Sequence, residues 1–93
     1  MPLTDQSRIV VTRDQVSCDL AGEAAILNLQ NGVYYGLDPV GARVWNLVRE
    51  PKTIAELRQT LLEEYEVDTV QLESDLRELI AKLADEGLIE VSE

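Results

Sequence analysis

A chain of 93 residues with 18 acidic and 8 basic side chains, one cysteine and no histidine excludes much before any pattern is read. The length suits one small domain with one modest core, and the lone Cys18 rules out a disulfide framework; with histidine absent, it also rules out a Cys/His zinc site and any Ser–His or Cys–His nucleophile. The net charge of −10 is uneven: residues 1–49 set Asp5, Asp14, Asp19, Glu23 and Asp38 against Arg8, Arg13, Arg43 and Arg49, so nearly all the excess acid falls in the second half. A phosphate backbone would be repelled there, whereas a neutral or basic partner is admitted. The plain alternative is that the excess only keeps a small domain soluble. No run is apolar enough to span a bilayer, and the N-terminus lacks the secretory pattern. The expectation is a single cytoplasmic domain over residues 1–93, flexible over 1–7.

In chain order, Arg8–Thr12 is β-prone and short, either a strand or an extended arm. Val16–Ala21 alternates, with Val16, Cys18 and Leu20 on one side; this makes Cys18 a small core hydrophobe and not a reactive thiol. Ala21-Gly22 is a turn. Glu23–Gln30 carries apolar residues on both sides, as a central strand does. Asn31-Gly32 suits the positive φ of a tight turn, and Val33–Leu37 returns as the next strand. These three strands form an antiparallel meander whose last member is an edge. It carries Tyr34 and Tyr35 in succession, so one faces the core and the other faces outward or into a groove. Gly36 marks either a close backbone approach or a simple bend.

Asp38-Pro39 stops the strand and opens a helix, Pro39–Arg49, with Asp38 as cap. Gly41 in its first turn implies a tight approach by another element. Trp45 reads as filler of the sheet–helix junction, its N–H turned to a partner. Thr53-Ile54-Ala55-Glu56 is a capping box that opens an amphipathic helix to Tyr65. Asp68-Thr69-Val70-Gln71 is a second box, opening the longest helix, Thr69–Glu86, with a stripe of Leu72, Leu76, Leu79 and Leu83 and Ile80 beside it. Gly87 stands where a left-handed cap belongs, and Leu88–Val91 is a closing strand. The fold class is therefore α+β: an N-terminal three-stranded antiparallel β-meander followed by a three-helix winged-helix-like bundle.

No phosphate loop or metal-ligand spacing occurs, and the carboxylate pairs fall at surface positions, so neither catalysis, cofactor nor metal is expected. Two binding surfaces remain. The long third helix of a winged helix can read DNA, but here it carries Glu73, Asp75, Glu78, Asp85 and Glu86 against Arg77 and Lys82. The other surface is the edge Val33–Leu37, which lacks the Lys or Pro that usually blunts an exposed edge. Such an edge beside an apolar helix suits the addition of a peptide strand. The competing classes are a winged-helix regulator binding DNA or a protein, and a structural subunit of an enzyme complex.

The run L-x-N-G-x-Y-Y-G-L-D-x-x-G-A-R-x-W, Leu29 to Trp45, resembles the signature of PqqD-like proteins, also called RiPP precursor peptide recognition elements. The likeness extends from about Val16 through the capped helices to Gly87-Leu88-Ile89. The free-standing form, the acidity and D-x-x-G-A-R-x-W-N-L-V are most similar to the B1 proteins of lasso peptide biosynthesis. The resemblance implies a non-catalytic adaptor that binds the leader of a ribosomally made precursor and delivers it to a separate leader peptidase, a B2-type cysteine protease. The core then passes to a cyclase, a further candidate partner; no nucleic acid or membrane is involved. It places the leader along Val33, Tyr34, Tyr35, Gly36 and Leu37 and against Leu72, Asp75, Leu76 and Leu79. Asp75 reads either as partner of a basic leader residue or as a solvated acid, and Leu76 and Leu79 either as contacts or as core.

Overall fold

The computed structural model describes residues 3–92, the side chain of Leu20 excepted. Six strands and three helices follow in the order β1 (Arg8–Val11), β2 (Gln15–Leu20), β3 (Glu23–Asn28), β4 (Tyr34–Leu37), α1 (Pro39–Leu47), β5 (Lys52–Thr53), α2 (Ile54–Glu64), α3 (Thr69–Asp85) and β6 (Ile89–Ser92). The strands divide between two antiparallel sheets, ordered β2-β3-β4 and β5-β1-β6. The three-stranded antiparallel meander β2-β3-β4 is the expected one, followed by three helices; the second sheet, which takes β1 and the closing strand together with β5, is the departure from the expected arrangement. β1 precedes the meander yet belongs to the C-terminal sheet, with Arg8 opposite both Ser92 and Thr53. Flanked on both sides, β1 buries Ile9 completely.

The meander pairs Val16 with Leu27 and Leu27 with Tyr34. Its first turn holds both Ala21 (φ 53°) and Gly22 (φ 89°) in the left-handed region, as a two-residue hairpin needs. The second turn is longer than the Asn31-Gly32 dipeptide. It runs from Asn28 to Val33, closed by Asn28 N–H donating to Val33 O at 3.0 Å and Gly32 N–H to Asn28 O at 2.8 Å. Asn28 is buried, and its Nδ2 donates to Glu86 O at 2.9 Å, which ties the hairpin to the end of α3.

Cys18 does not enter the core; it is exposed, and Val16 on the same side is 56% exposed. The inward face of β2 is the one carrying Ser17, opposite the fully buried Ile26. Ser17 Oγ accepts from Arg49 Nη2 at 3.1 Å, so β2 overlies the polar end of α1.

Asp38 caps α1, Oδ1 accepting from Gly41 N–H at 2.8 Å. A Cβ at Gly41 would stand 3.2 Å from that oxygen and 3.3 Å from Leu37 Cβ, so the close approach inferred from glycine is made by the β4–α1 junction itself. Trp45 is fully buried, but its Nε1 has no hydrogen-bond partner, contrary to the expected one. At α2 the capping box is reciprocal: Glu56 N–H to Thr53 Oγ1 at 3.1 Å and Thr53 N–H to Glu56 Oε1 at 3.0 Å. The second expected box is not. Asp68 accepts from Val70 N–H at 3.2 Å, while Gln71 donates forward to Asp75 at 2.8 Å. At the far end Gly87 (φ 73°) closes α3, with Leu88 N–H on Leu83 O and Gly87 N–H on Ala84 O, both 3.0 Å; this is the Schellman arrangement.

One core joins the sheets and helices: Ile9, Ile26, Trp45, Val48, Ile54, Leu57, Leu61, Leu76 and Ile80 among others. The α3 stripe is shifted from the one read in sequence. Ile80 takes the buried seat with Leu72, Leu76 and Leu83, and Leu79 sits half-buried beside them.

Met1 and Pro2 lie outside the described residues. Within the segment that follows, Leu3 and Asp5 contact α2 and α3. Arg58 Nη1 meets Asp5 Oδ1 at 2.9 Å and Glu73 Oε2 at 2.8 Å, and Arg77 Nε meets Glu73 Oε1 at 2.7 Å. Arg77 Nη1 also donates to Leu3 O at 2.6 Å. The Arg58 hydrogen bond is the main reason Asp5 sits below its ordinary carboxylate pKa; Glu73 is lowered by Arg58 and then Arg77. Both folded-state values are depressed, so the stability these acids contribute is present above the unfolded carboxylate range and is lost as pH falls through the folded values. The urea midpoint is expected to drop as pH goes from about 5 towards about 2, with Glu73→Gln flattening the drop. A midpoint independent of pH in that window would show the cluster to be neutral for folding.

Candidate functional site

Four elements meet at a groove: the end of β4, the first turns of α1, Leu61 of α2 and one face of α3. Its position follows from local chemistry. Asp38 ends β4 and starts α1 with no spacer, so the strand and the helix form two adjoining sides. α3 crosses opposite, held by two bonds near its C-terminus. One is Asn28 Nδ2 on Glu86 O; the other is Tyr35 Oη donating to Glu86 Oε2 at 2.5 Å. That second bond, chiefly, with burial behind it, raises the Tyr35 phenol above its ordinary pKa.

The groove has a volume of about 720 Å³. Of the residues singled out in the sequence, Gly36, Leu37, Leu72, Asp75, Leu76 and Leu79 line it. Val33, Tyr34 and Tyr35 do not. Val33 and Tyr34 are exposed, Tyr34 at 72%, on the outer side of the sheet or in the turn before it. Tyr35 faces inward, half-buried against the core. The division of the two tyrosines between the faces agrees with strand alternation. The sequence reading missed Val40 and Val67 on the walls and Asp38, Glu78 and Lys82 among the lining charges. No periodicity marks Val67, which lies between helices, and helical spacing puts Val40 on a face of α1 without saying what that face meets.

The edge of β4 is open. Among the described residues β4 ends its sheet, next to β3 alone. Antiparallel ladders alternate between paired and unpaired backbone groups. Asn28 N–H bonds to Val33 O towards β4, and Leu29 N–H bonds to Asp14 O towards β2. With the register Ile26–Tyr35 and Ala24–Leu37, the backbone groups of Tyr35 and Leu37 point to β3. Those of Tyr34 and Gly36 point the other way, to the open edge. A Cβ added at Gly36 would have no atom within 4 Å, so the face of the sheet over Gly36 is open as well.

The groove is thus an apolar trough running beside a row of unsatisfied backbone donors and acceptors. Comparison with known proteins fits this form. The family model described as coenzyme PQQ synthesis protein D (PqqD) matches residues 23–89. The chain belongs to the PqqD family. Two solved structures are similar to this PqqD-family chain. One is TbiB1 in complex with the TbiA(beta) leader peptide, with 38% identity, 87% of this chain and 94% of that chain covered, and a TM-score of 0.81. The other is a lasso peptide synthetase B1 complexed with the leader peptide, with 21% identity, 88% and 96% coverage, and a TM-score of 0.77; it supports the fold alone. No curated protein matches by sequence. Among the described residues no helix is long and apolar enough to cross a membrane.

Proposed function

We propose that this PqqD-family chain is a non-catalytic, cytoplasmic adaptor of lasso peptide biosynthesis. It binds the leader of a ribosomally made precursor as an added strand along β4 and presents it to a separate leader peptidase. One observation carries the reading: the open backbone groups of Tyr34 and Gly36 stand beside the leucine-lined groove. Strand pairing supplies affinity for any extended chain, and the groove supplies choice among side chains. Ordering a flexible leader costs about 2–5 kcal/mol, so buried apolar anchors must exceed that. Leu37, Leu76 and Leu79 with Val40 provide the seats.

DNA binding has no comparable support. The exposed acids Asp75, Glu78 and Asp85 on α3 oppose a phosphate backbone.

The test is titration of a fluorescein-labelled TbiA(beta) leader peptide, the ligand of the similar TbiB1, followed by anisotropy. Leu79→Asp places a charge in the trough while altering only a half-buried position, and it is expected to weaken binding about tenfold or more. Equal affinity of Leu79→Asp and the parent chain overturns the groove as the leader site. A retarded band with random duplex DNA at low salt would instead favour a regulator.

A further inference from the structure

We propose that the groove selects a leader in which a lysine or arginine accompanies the apolar anchors, the basic side chain settling among Asp38, Asp75 and Glu78. The inference deepens the leader-binding reading and rests on it. The ground is how the chain spends its cations. Arg43 pairs with Glu64, Lys52 with Glu50, and Arg58 and Arg77 with Asp5 and Glu73. None of these side chains lines the groove. The charged residues that do line it are Asp38, Asp75, Glu78 and Lys82, and among the described residues none of them enters an ion pair. Three carboxylates against one ammonium leave the trough negative, although the chain's seven other cations, four of them ion-paired, lie outside it.

Geometry makes the imbalance usable. Asp38 stands at the β4–α1 corner, with Oδ1 engaged by Gly41 N–H. Asp75 and Glu78 lie three residues apart on α3, beside Leu72, Leu76 and Leu79 in the same lining. All three acids are exposed, so meeting a cation there entails little desolvation. Apolar walls concentrate the field of charges set at a concavity. A lysine or arginine stem can lie along Val40 and Leu79 while its head reaches the carboxylates. Alternate side chains of an added strand share one face, so the basic residue and the anchors must be an even number of positions apart.

The experiment pans a display library of random linear peptides against the full chain and against the double variant Asp75→Asn/Glu78→Gln. Asp38 is left unchanged because it caps α1. Peptides selected on the parent chain are expected to carry Lys or Arg at even spacing from an aliphatic or aromatic anchor. Those selected on the double variant keep the anchor and lose the basic preference. A selected peptide should bind the parent chain about three to ten times more tightly than its Lys→Gln counterpart, a gap that closes at about 1 M salt and in the double variant. Anchors without basic enrichment on the parent chain overturn this inference and leave the leader reading standing. No enrichment over bare matrix overturns both.

Discussion

Gly36→Pro is expected to cost the chain about 30- to 100-fold in leader affinity while leaving its fold in place. The Gly36 N–H points to the open side of β4, so its removal breaks no bond within the sheet. It deletes a bond worth about 0.5–1.5 kcal/mol to an added strand, and the pyrrolidine ring occupies the line along which that strand must approach. Together these amount to about 2–3 kcal/mol, which is the stated loss of affinity. Two controls fix the interpretation. Gly36→Ala retains the N–H and projects into empty space, so it should bind within a few-fold of the parent chain. Tyr35→Pro should fail differently, because the Tyr35 N–H belongs to the pair with Ile26 and its loss lowers the melting temperature as well as the affinity. Anisotropy titrations paired with circular-dichroism melts separate these outcomes. Parent-like binding by a folded Gly36→Pro chain would show that no peptide pairs with this edge.

That contrast between neighbouring residues was not available from sequence, although the strand itself was. Signals confined to a few residues read correctly: the Asp38 cap, the Thr53–Glu56 box, the positive φ at Gly87 and the opposed faces of Tyr34 and Tyr35. Each is decided by contacts within about one turn or one pleat. The failures need information from far along the chain. Arg8–Val11 has strand propensity, but nothing in four residues says that its partners lie at Lys52–Thr53 and Ile89–Ser92. Alternation in β2 separates two faces without saying which is inside. The side carrying Val16 and Cys18 faces out, because the strand overhangs the end of α1, where Arg49 meets Ser17. The Asp68-x-x-Gln71 pattern satisfies the box spacing, yet Gln71 has a nearer acceptor in Asp75 one turn on. In the groove, the leucine stripe and the strand were legible, whereas Val67 and Glu78 join the lining only through the way α3 crosses β4. Leu79 and Ile80 follow one another about 100° apart around the helix, and only the packed partner decides that Ile80 is sealed and Leu79 borders the trough.

Trp45→Ala is expected to lower folding stability by about 3–5 kcal/mol, a large share of the roughly 5–15 kcal/mol available to a domain of this size. Trp45 is fully buried in the cluster that joins Ile26 of the first sheet to Ile54, Leu57 and Ile80 of the helices, so its truncation opens a cavity where the layers meet. Urea unfolding followed by far-ultraviolet circular dichroism measures this loss without using the deleted fluorophore. Trp45→Phe discriminates further. The indole N–H is buried without an acceptor, and an unsatisfied buried donor costs about 1–3 kcal/mol. Phenylalanine removes that donor while giving up part of the packing, and the opposing effects should hold its loss to about half that of Ala or less. A Trp45→Phe chain as unstable as Trp45→Ala would mean that the N–H is bonded in solution, with a buried water as the natural acceptor. The consequence reaches the groove. Val44, beside Trp45 on α1, is part of its lining, and Trp45 seats α1 against the sheet. A loosened α1 shifts one wall relative to α3, so folded Trp45→Ala molecules, measured at low temperature, should also bind leader more weakly than Trp45→Phe.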